Sequence, residues 1–562
     1  MKFRKGLSTV LCAAMLTAML AGCGSGEGAE SSAETSSGTD VAAETSETAQ
    51  QAAATGRAGS ITMGLNANIP GLSCYDGTST GQLYVSWLYN DSLFVQETPG
   101  GELKPCIGKD YEVSEDGSVI TVHMFDYVKD SAGNPITASD VVFSYNTYIA
   151  TGNASNVDPY LDRVEAVDDT TVALYFKDWE TIGAVESVLT YTQIVDEEAY
   201  DEATWSTAPI GCGPYVVEDF VSGSSLTLAV NEDYWQTDEQ YISTVKQRNV
   251  DRIIYRIILE DAQLALALET GDVDVVNYVS TDNLSFFMDE NGNALDGYYV
   301  RSDSTALVTN ISFSMDPSSN VADDVNLRKA ILHCIDKASL VSTVVGNTGK
   351  EVFCFGTDAY SDYDPAWAED YFNYDVELAQ EYLAQSNYVA NGSPTIRIAL
   401  ESNDSKQRAA QMMQAYMNEI GINAEILSYD AALFTNYKLD FGEWDIKIDN
   451  NGSPTYNLGA FWQRFLGNTF CTYNGVGVNF LGLNDPELQE LLDVAANVNT
   501  MSQENTNLVN DYINDNAIVY GLWTSVTYQA AQDGILEIVN NSAIYPVPNA
   551  FVYAEDYQGV AG

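Results

Sequence analysis

Arg252-Ile253-Ile254-Tyr255-Arg256-Ile257-Ile258-Leu259, then Asp261 to Thr270, Gly271, and Val273 to Tyr278 are the residues that decide the fold class of this 562-residue chain. The first run reads as a buried strand, the second as a helix closed by Gly271, and the third as another strand. Strand, helix and strand in that order form a crossover, and crossovers build parallel sheets. The same style returns later at greater length. Ile396, Ile398 and Leu400 alternate on a strand, and Ser405 to Ile420 forms a helix with Ala409, Met412, Tyr416 and Ile420 on one face, capped by Gly421. Ala424-Glu425-Ile426-Leu427 is a strand, Asp430 can cap a helix from Ala431 to Tyr437, and Trp444 to Ile448 is a third strand. Two such sets argue for two α/β lobes.

Upstream the pattern differs. Ser60 to Leu65 alternates as a strand, and a helix is expected from Gln82 to Phe94. Tyr111-Glu112-Val113 and Val119 to Val122 flank a turn at Asp116-Gly117. Val164 to Val167 and Val172 to Phe176 flank Asp168-Asp169. Thr137-Ala138-Ser139-Asp140 has the spacing of a capping box opening the helix that begins Val141-Val142-Phe143. Residues 83–204 therefore read as an α+β unit with antiparallel strands. Pro209-Ile210-Gly211-Cys212-Gly213-Pro214-Tyr215 is a glycine-rich turn, and Leu226 to Val230 a strand.

The amino terminus is an address. Lys2, Arg4 and Lys5 precede an apolar run from Leu7 to Ala21 that is short for a bilayer span and ends in small residues, as a secretory signal does. Leu20-Ala21-Gly22-Cys23 resembles the lipobox of bacterial lipoproteins. That resemblance implies cleavage after residue 22 and acylation of Cys23, hence an extracytoplasmic protein tied to its membrane by two or three chains. Residues 24–57 hold six acidic residues, one Arg and no aromatic, and read as a flexible linker.

Against 80 Asp+Glu stand 24 Lys+Arg, a formal charge of −56, which argues against nucleic acid and anionic lipid as partners. Hydrophobic residues make 45% of the chain and tyrosines number 35, so the bulk is globular. Beyond Cys12 and Cys23 remain Cys74, Cys106, Cys212, Cys334, Cys354 and Cys471, whose spacing selects no disulfide pairing. No CxxC occurs, and His123 and His333 are the only histidines, so no metal site or cofactor is expected.

Ala138-Ser139-Asp140-Val141-Val142-Phe143-Ser144-Tyr145 resembles a segment of bacterial extracellular solute-binding proteins of family 5, the binding subunits of oligopeptide, dipeptide and nickel-type ABC importers. Gly211 to Tyr215, Asn231-Glu232-Asp233-Tyr234-Trp235, Ala267 to Asp274, and Leu327 to Ile331 with Ile335-Asp336-Lys337 resemble the same family in the same order. The likeness covers about residues 60 to 555. It implies a type II periplasmic-binding-protein clamshell of two α/β lobes with an additional small α+β domain. By that analogy, 58–82 begins lobe I, 83–204 is the small domain, 205–305 returns to lobe I, 306–525 is lobe II, and 526–562 closes lobe I. It also implies no catalysis: such a protein, here expected as a monomer, captures a peptide or related solute for a permease and ATPase. A peptide-sensing receptor, or a binder of oligosaccharide, would use the same fold. Two departures stand out. The family's Asp-Pro stretch in lobe II reads Ser453-Pro454 here, and the Leu-Asp-Pro after the first strand reads Leu72-Ser73-Cys74.

Ligands of parallel sheets sit beyond the carboxyl ends of strands. This places Asn66, Asn68, Asn277 and Tyr278 in lobe I and Asn403, Asp449 and Asn450 in lobe II among the candidates, with Tyr75, Tyr456 and Trp462 as aromatic neighbours. Asp449 is the acid expected to meet a ligand ammonium. A hydrolase using Asp445 and Asp449 is the competing class. Residues four apart on a strand lie roughly 13 Å apart, beyond either glycosidase spacing.

Overall fold

A computed structural model of the chain describes residues 57–75, 80–98, 100–289, 291–368, 371–452, 457–541, 545–555 and 557–560. The expected signal segment, Cys23, the linker up to residue 56, Ser453-Pro454 and the candidate Tyr456 lie outside these residues.

The crossover read from the sequence is present. Strand Ala58–Leu65 runs parallel to Val250–Ile257 on one side and to Val275–Val276 on the other. Helix Asp261–Glu269 connects the two flanking strands and buries Leu264 and Leu268. The last strand is shorter than the expected Val273 to Tyr278. At its start Asp274 holds the chain by side chain instead: its carboxylate accepts from the Thr62 amide and the Tyr557 hydroxyl, both at 2.7 Å. An antiparallel hairpin, Tyr215–Val221 and Ser225–Val230, completes this edge. In the second set, Ile396–Glu401 lies parallel to both Ala424–Tyr429 and Ile446–Asn451. Trp444 precedes the last strand rather than opening it, and is buried against Phe441.

Both sets belong to one eleven-stranded sheet. Two long antiparallel strands, Tyr298–Phe313 and Val519–Gln532, run through both lobes and join them. One end of Val519–Gln532 pairs with Val275–Val276, while the far half of Tyr298–Phe313 pairs with Ile446–Asn451. Between the lobes the register breaks: Ser304 faces Val526 and Val308 faces Thr524, so residues 305–307 bulge opposite Ser525. A bulge of this kind bends its strand and loosens the ladder locally. Side chains hold it: Thr524 Oγ1 donates to Thr305 O at 2.8 Å and the Tyr360 hydroxyl to Ala306 O at 3.1 Å.

A separate four-stranded antiparallel sheet is built from Gly108–Val113, Val119–Met124, Thr171–Phe176 and Leu161–Asp168, in that order. Helix Ala138–Ala150 packs on it, and Asp140 Oδ2 accepts from the Thr137 amide at 2.7 Å, the reach-back expected of the capping box. Its core is Ile120, Val122, Tyr145 and Leu174, all fully buried. Past this sheet the chain touches lobe II through a short antiparallel clasp. Ile182 N donates to Ala496 O at 2.9 Å and Val498 N to Glu180 O at 2.8 Å, on either side of a Thr181–Asn497 bridge.

The first helix, Thr80–Tyr89, stops five residues before the expected Phe94. The glycine-rich turn lies across its end: Gly213 N donates to Tyr89 O at 3.0 Å, and a Cβ on Gly211 would sit 1.8 Å from that oxygen. Lys246 then occupies the helix terminus, donating to Trp87 O at 2.7 Å and Asn90 O at 2.9 Å while pairing with Asp91 at 2.6 Å. A cation suits the carbonyl end of a helix. None of Cys74, Cys106, Cys212, Cys334, Cys354 and Cys471 is in a disulfide, and four of the six are buried. No helix among the described residues is long and apolar enough to cross a membrane.

Candidate functional site

The clasp, the first helix and lobe II enclose a cavity of about 630 Å³, within the size range of sites for small organic ligands. Its walls come from every part of the fold. The first helix supplies Tyr84 and Trp87, helix Ala184–Tyr191 supplies Glu186 and Tyr191, the carboxyl-terminal segment supplies Tyr545, and lobe II supplies Ser361, Asn457 and Arg464. Tyr84 packs on Tyr545 with ring centroids 4.3 Å apart, and Trp87 meets Tyr191 edge-on at 6.4 Å. Burial raises the Tyr84 and Tyr191 phenols to about 12, so both stay neutral and able to donate at physiological pH. A shallower depression of about 530 Å³ beside helix Ala138–Ala150 opens broadly to solvent and has Glu197 as its one charged lining residue.

Two predicted residues are brought together at the cavity wall. Asn277 Nδ2 donates to Asn66 Oδ1 at 2.8 Å and to the Tyr84 hydroxyl at 3.0 Å, and the Asn66 amide donates to Asn277 Oδ1 at 3.0 Å. The pair therefore positions Tyr84 rather than lining the cavity itself. Asn68 is exposed and Tyr278 half-buried, and neither lines the cavity.

The other candidates stand elsewhere. Tyr75 is buried in the core of the small sheet, donating to Gln193 O at 2.8 Å and stacked on Tyr148. Trp462 is fully buried too, its indole donating to Phe355 O. Both rings are core because their helix or loop turns them inward, away from solvent. Asn403 caps helix Asp404–Glu419, accepting from Ser405 N and Lys406 N. Asn450 Oδ1 accepts from Thr309 Oγ1 at 2.9 Å. Asp449 is buried and lies 3.6 Å from the Lys438 ammonium. Asp445 is clamped by Arg397 through two 3.0 Å bonds and accepts from Asn320 N at 2.8 Å. Although burial acts to raise it, the Arg397 bonds prevail and hold that carboxyl below its usual range. Neither carboxylate lines the cavity.

The residues that do line it were not singled out from the sequence. Arg464 had a visible sign: it is the one charge in helix Leu458–Leu466, whose Leu458, Phe461, Trp462 and Leu466 form the buried face. Tyr84 and Trp87 stand three apart on the first helix, a spacing shared with ordinary core positions. Among the described residues no three His, Cys, Asp or Glu side chains group closely enough to hold a metal ion.

Residues 102–470 match the family model of bacterial extracellular solute-binding proteins, family 5 (middle region), and the chain belongs to that family. This is a family of binding proteins rather than enzymes. A Brucella ovis protein named for peptide binding in an ABC transporter is 24% identical over 355 residues, 60% of this chain and 63% of that relative, so the match spans less than two thirds of it. Oligopeptide-binding protein OppA of Bacillus subtilis is 24% identical over 445 residues, covering 70% of this chain and 74% of its own. Heme-binding protein A of Haemophilus influenzae is 23% identical over 439 residues, covering 70% and 73%. Among solved structures, HbpA2 of Haemophilus parasuis superposes with a TM-score of 0.74 at 20% identity, over 88% of this chain and 100% of that one. A dipeptide-binding protein of Pseudoalteromonas in complex with Met-Leu gives 0.66 at 18%, over 88% and 100%. These likenesses establish the two-lobed fold.

Proposed function

We propose that this protein is the extracytoplasmic binding subunit of an ABC importer, which takes a peptide-like solute into the cavity between its lobes and presents it to a permease and its ATPase. One observation carries the reading: the 630 Å³ cavity is walled by both lobes and by the helix that follows the small sheet, so its shape depends on how they close. Aromatic walls suit apolar side chains, and the few polar groups suit a backbone. Relatives named for oligopeptides and for heme share the family, and the aromatic, partly charged lining favours the former. In this reading Cys23 carries the lipid, the acidic linker gives reach, and the bulge at residues 305–307 with Ser525 is the hinge. The sequence boundaries at 83, 205, 306 and 526 mark passages between the small domain and the lobes.

A thermal-shift screen of the purified protein over tripeptides to pentapeptides, heme, nickel chelates and oligosaccharides tests it. A ligand at 100 times its dissociation constant adds about 2.7 kcal/mol of stability, an easily read rise in Tm. Peptides are expected to give that rise. A rise with heme or oligosaccharide alone would replace the proposed solute.

A further inference from the structure

Three charged side chains line the cavity, and they are not equivalent. Lys246 is spent on Asp91 and on the end of the first helix. Glu186 and Arg464 form no ion pair and no side-chain hydrogen bond among the described residues. The two also belong to different bodies. Glu186 sits in the first turn of helix Ala184–Tyr191, directly after the clasp strand. Arg464 sits on helix Leu458–Leu466, which lies close on helix Pro486–Ala495; a Cβ on Gly459 would come 2.3 Å from Ala495 O, and Ala496 takes the clasp bond. Both charges therefore line one cavity, each from its own side of the clasp.

Arg464 is exposed and Glu186 half-buried, so both are open to a solute, and complementary charges on a ligand set its orientation and specificity. We infer that Glu186 and Arg464 are the two charge anchors of the solute. Arg464 takes a carboxylate, through the two-pronged geometry a guanidinium offers, and Glu186 takes an ammonium. The apolar middle of the solute lies over Trp87 and Tyr191, which line the same cavity and meet edge-on. The solute is thus a zwitterion that spans from the small-sheet side to lobe II and ties the clasp shut. A neutral sugar would leave both charges unpaired, and a solute bearing only carboxylates would face Glu186. The surface charge of −56 does not decide the matter, since screening limits distant charges to about 8 Å at physiological salt. This inference rests on the cavity being the solute site.

The test uses three tripeptide libraries: free at both ends, amidated at the carboxyl end, and acetylated at the amino end. Native mass spectrometry reads what the wild type, Arg464→Gln and Glu186→Gln retain, and titration of the tightest binder gives the affinity. Losing a charge-assisted hydrogen bond should weaken binding by about tenfold to 100-fold. Arg464→Gln should lose that factor for free-acid peptides and little for amides. Glu186→Gln should lose it for free amines and little for acetylated peptides. Arg464→Lys should recover part of the loss, with Tm values showing all variants folded. Equal binding of every library by wild type and both variants overturns the anchors and leaves the proposed solute site standing. Tighter binding by Glu186→Gln, whatever the amino end, overturns the zwitterion in favour of an anion. A wild type that retains no library member removes the peptide reading itself, and the anchors with it.

Discussion

Two cations face the same cavity. Lys246 is buried, paired with Asp91 at 2.6 Å and bonded to two carbonyls. Asp91 is further satisfied by the Tyr234 hydroxyl and the Trp235 indole, both at 3.1 Å. Burial acts to lower the Lys246 ammonium, but Asp91 and its neighbours prevail and raise it, so it stays charged. Arg464 is exposed, with its guanidinium over the Phe465 ring at 5.6 Å, and forms no ion pair among the described residues. One charge is saturated and ties the end of the first helix to Asp91; the other is open and available to a solute. Proximity to a cavity alone therefore does not mark a binding residue. What marks it is bonding capacity left unused.

The comparison breaks most visibly at Lys246. Lys246→Met leaves Asp91 buried and uncompensated, which should cost about 3–5 kcal/mol and lower the urea midpoint sharply. Asp91→Asn in the same chain should return much of it. An unchanged midpoint for the single variant would place Lys246 beside Arg464 as an open charge.

Lys447 sharpens the contrast from the other side. It is fully buried with one hydrogen bond among the described residues, to Phe480 O at 3.1 Å, and lies near the Trp444 and Phe480 rings. Burial lowers its ammonium to about 8. Below that pH the folded protein holds a proton it disfavours. Between about 8 and the unfolded value near 10.4 the unfolded chain binds the proton and the folded one does not, so stability rises with pH. The slope is at most about 1.4 kcal/mol per unit. Lys447→Met should be more stable than wild type at pH 7.5, and the gap should narrow by pH 9.5 in urea titrations. A gap independent of pH would show that Lys447 keeps an ordinary, well-partnered ammonium in the fold.

Smaller effects separate caps from site residues. Asn403→Ala should cost about 1 kcal/mol of stability and leave solute affinity unchanged, because its side chain serves two helix amides. An affinity loss in titration would return Asn403 to the site. Val498→Pro removes one clasp bond, about 1 kcal/mol, and should speed solute release about fivefold in stopped-flow traces. Release at the wild-type rate would mean the clasp does not hold the closed form.

Much of the architecture is legible in the residues. Period-2 alternation at Ile396, Ile398 and Leu400 is strong because that strand buries what the pattern says it buries. The run from Arg252 to Leu259, read as a buried strand, buries only Ile253 and Tyr255 and leaves Arg252, Arg256 and Leu259 exposed. The two long joining strands are not legible as such. Tyr298–Phe313 carries Arg301, Ser302, Asp303, Ser304 and Thr305 through its middle, so half of it has no apolar face to announce it; its pairing comes from Val519–Gln532, more than 200 residues away. The site was less legible still. Strand-end asparagines are placed by topology, yet Asn66 and Asn277 bond each other and Tyr84. Phe461 and Trp462 draw the eye as aromatics, while the residue of their helix that reaches the cavity is Arg464. Which face of a helix meets a cavity depends on what packs behind it, and here that is Pro486–Ala495, further along the chain.

The shared strands carry a consequence for unfolding. Each of the two long strands lends one part to each lobe, so neither lobe can melt without stripping a hydrogen-bonded neighbour from the other. Proteins whose lobes are joined by loops can lose them in turn, as independent cooperative units. Here the energetic boundary does not follow the geometric one. Both lobes should be lost in a single heat-absorption peak, with strands Tyr298–Phe313 and Val519–Gln532 among the last amides to exchange with solvent.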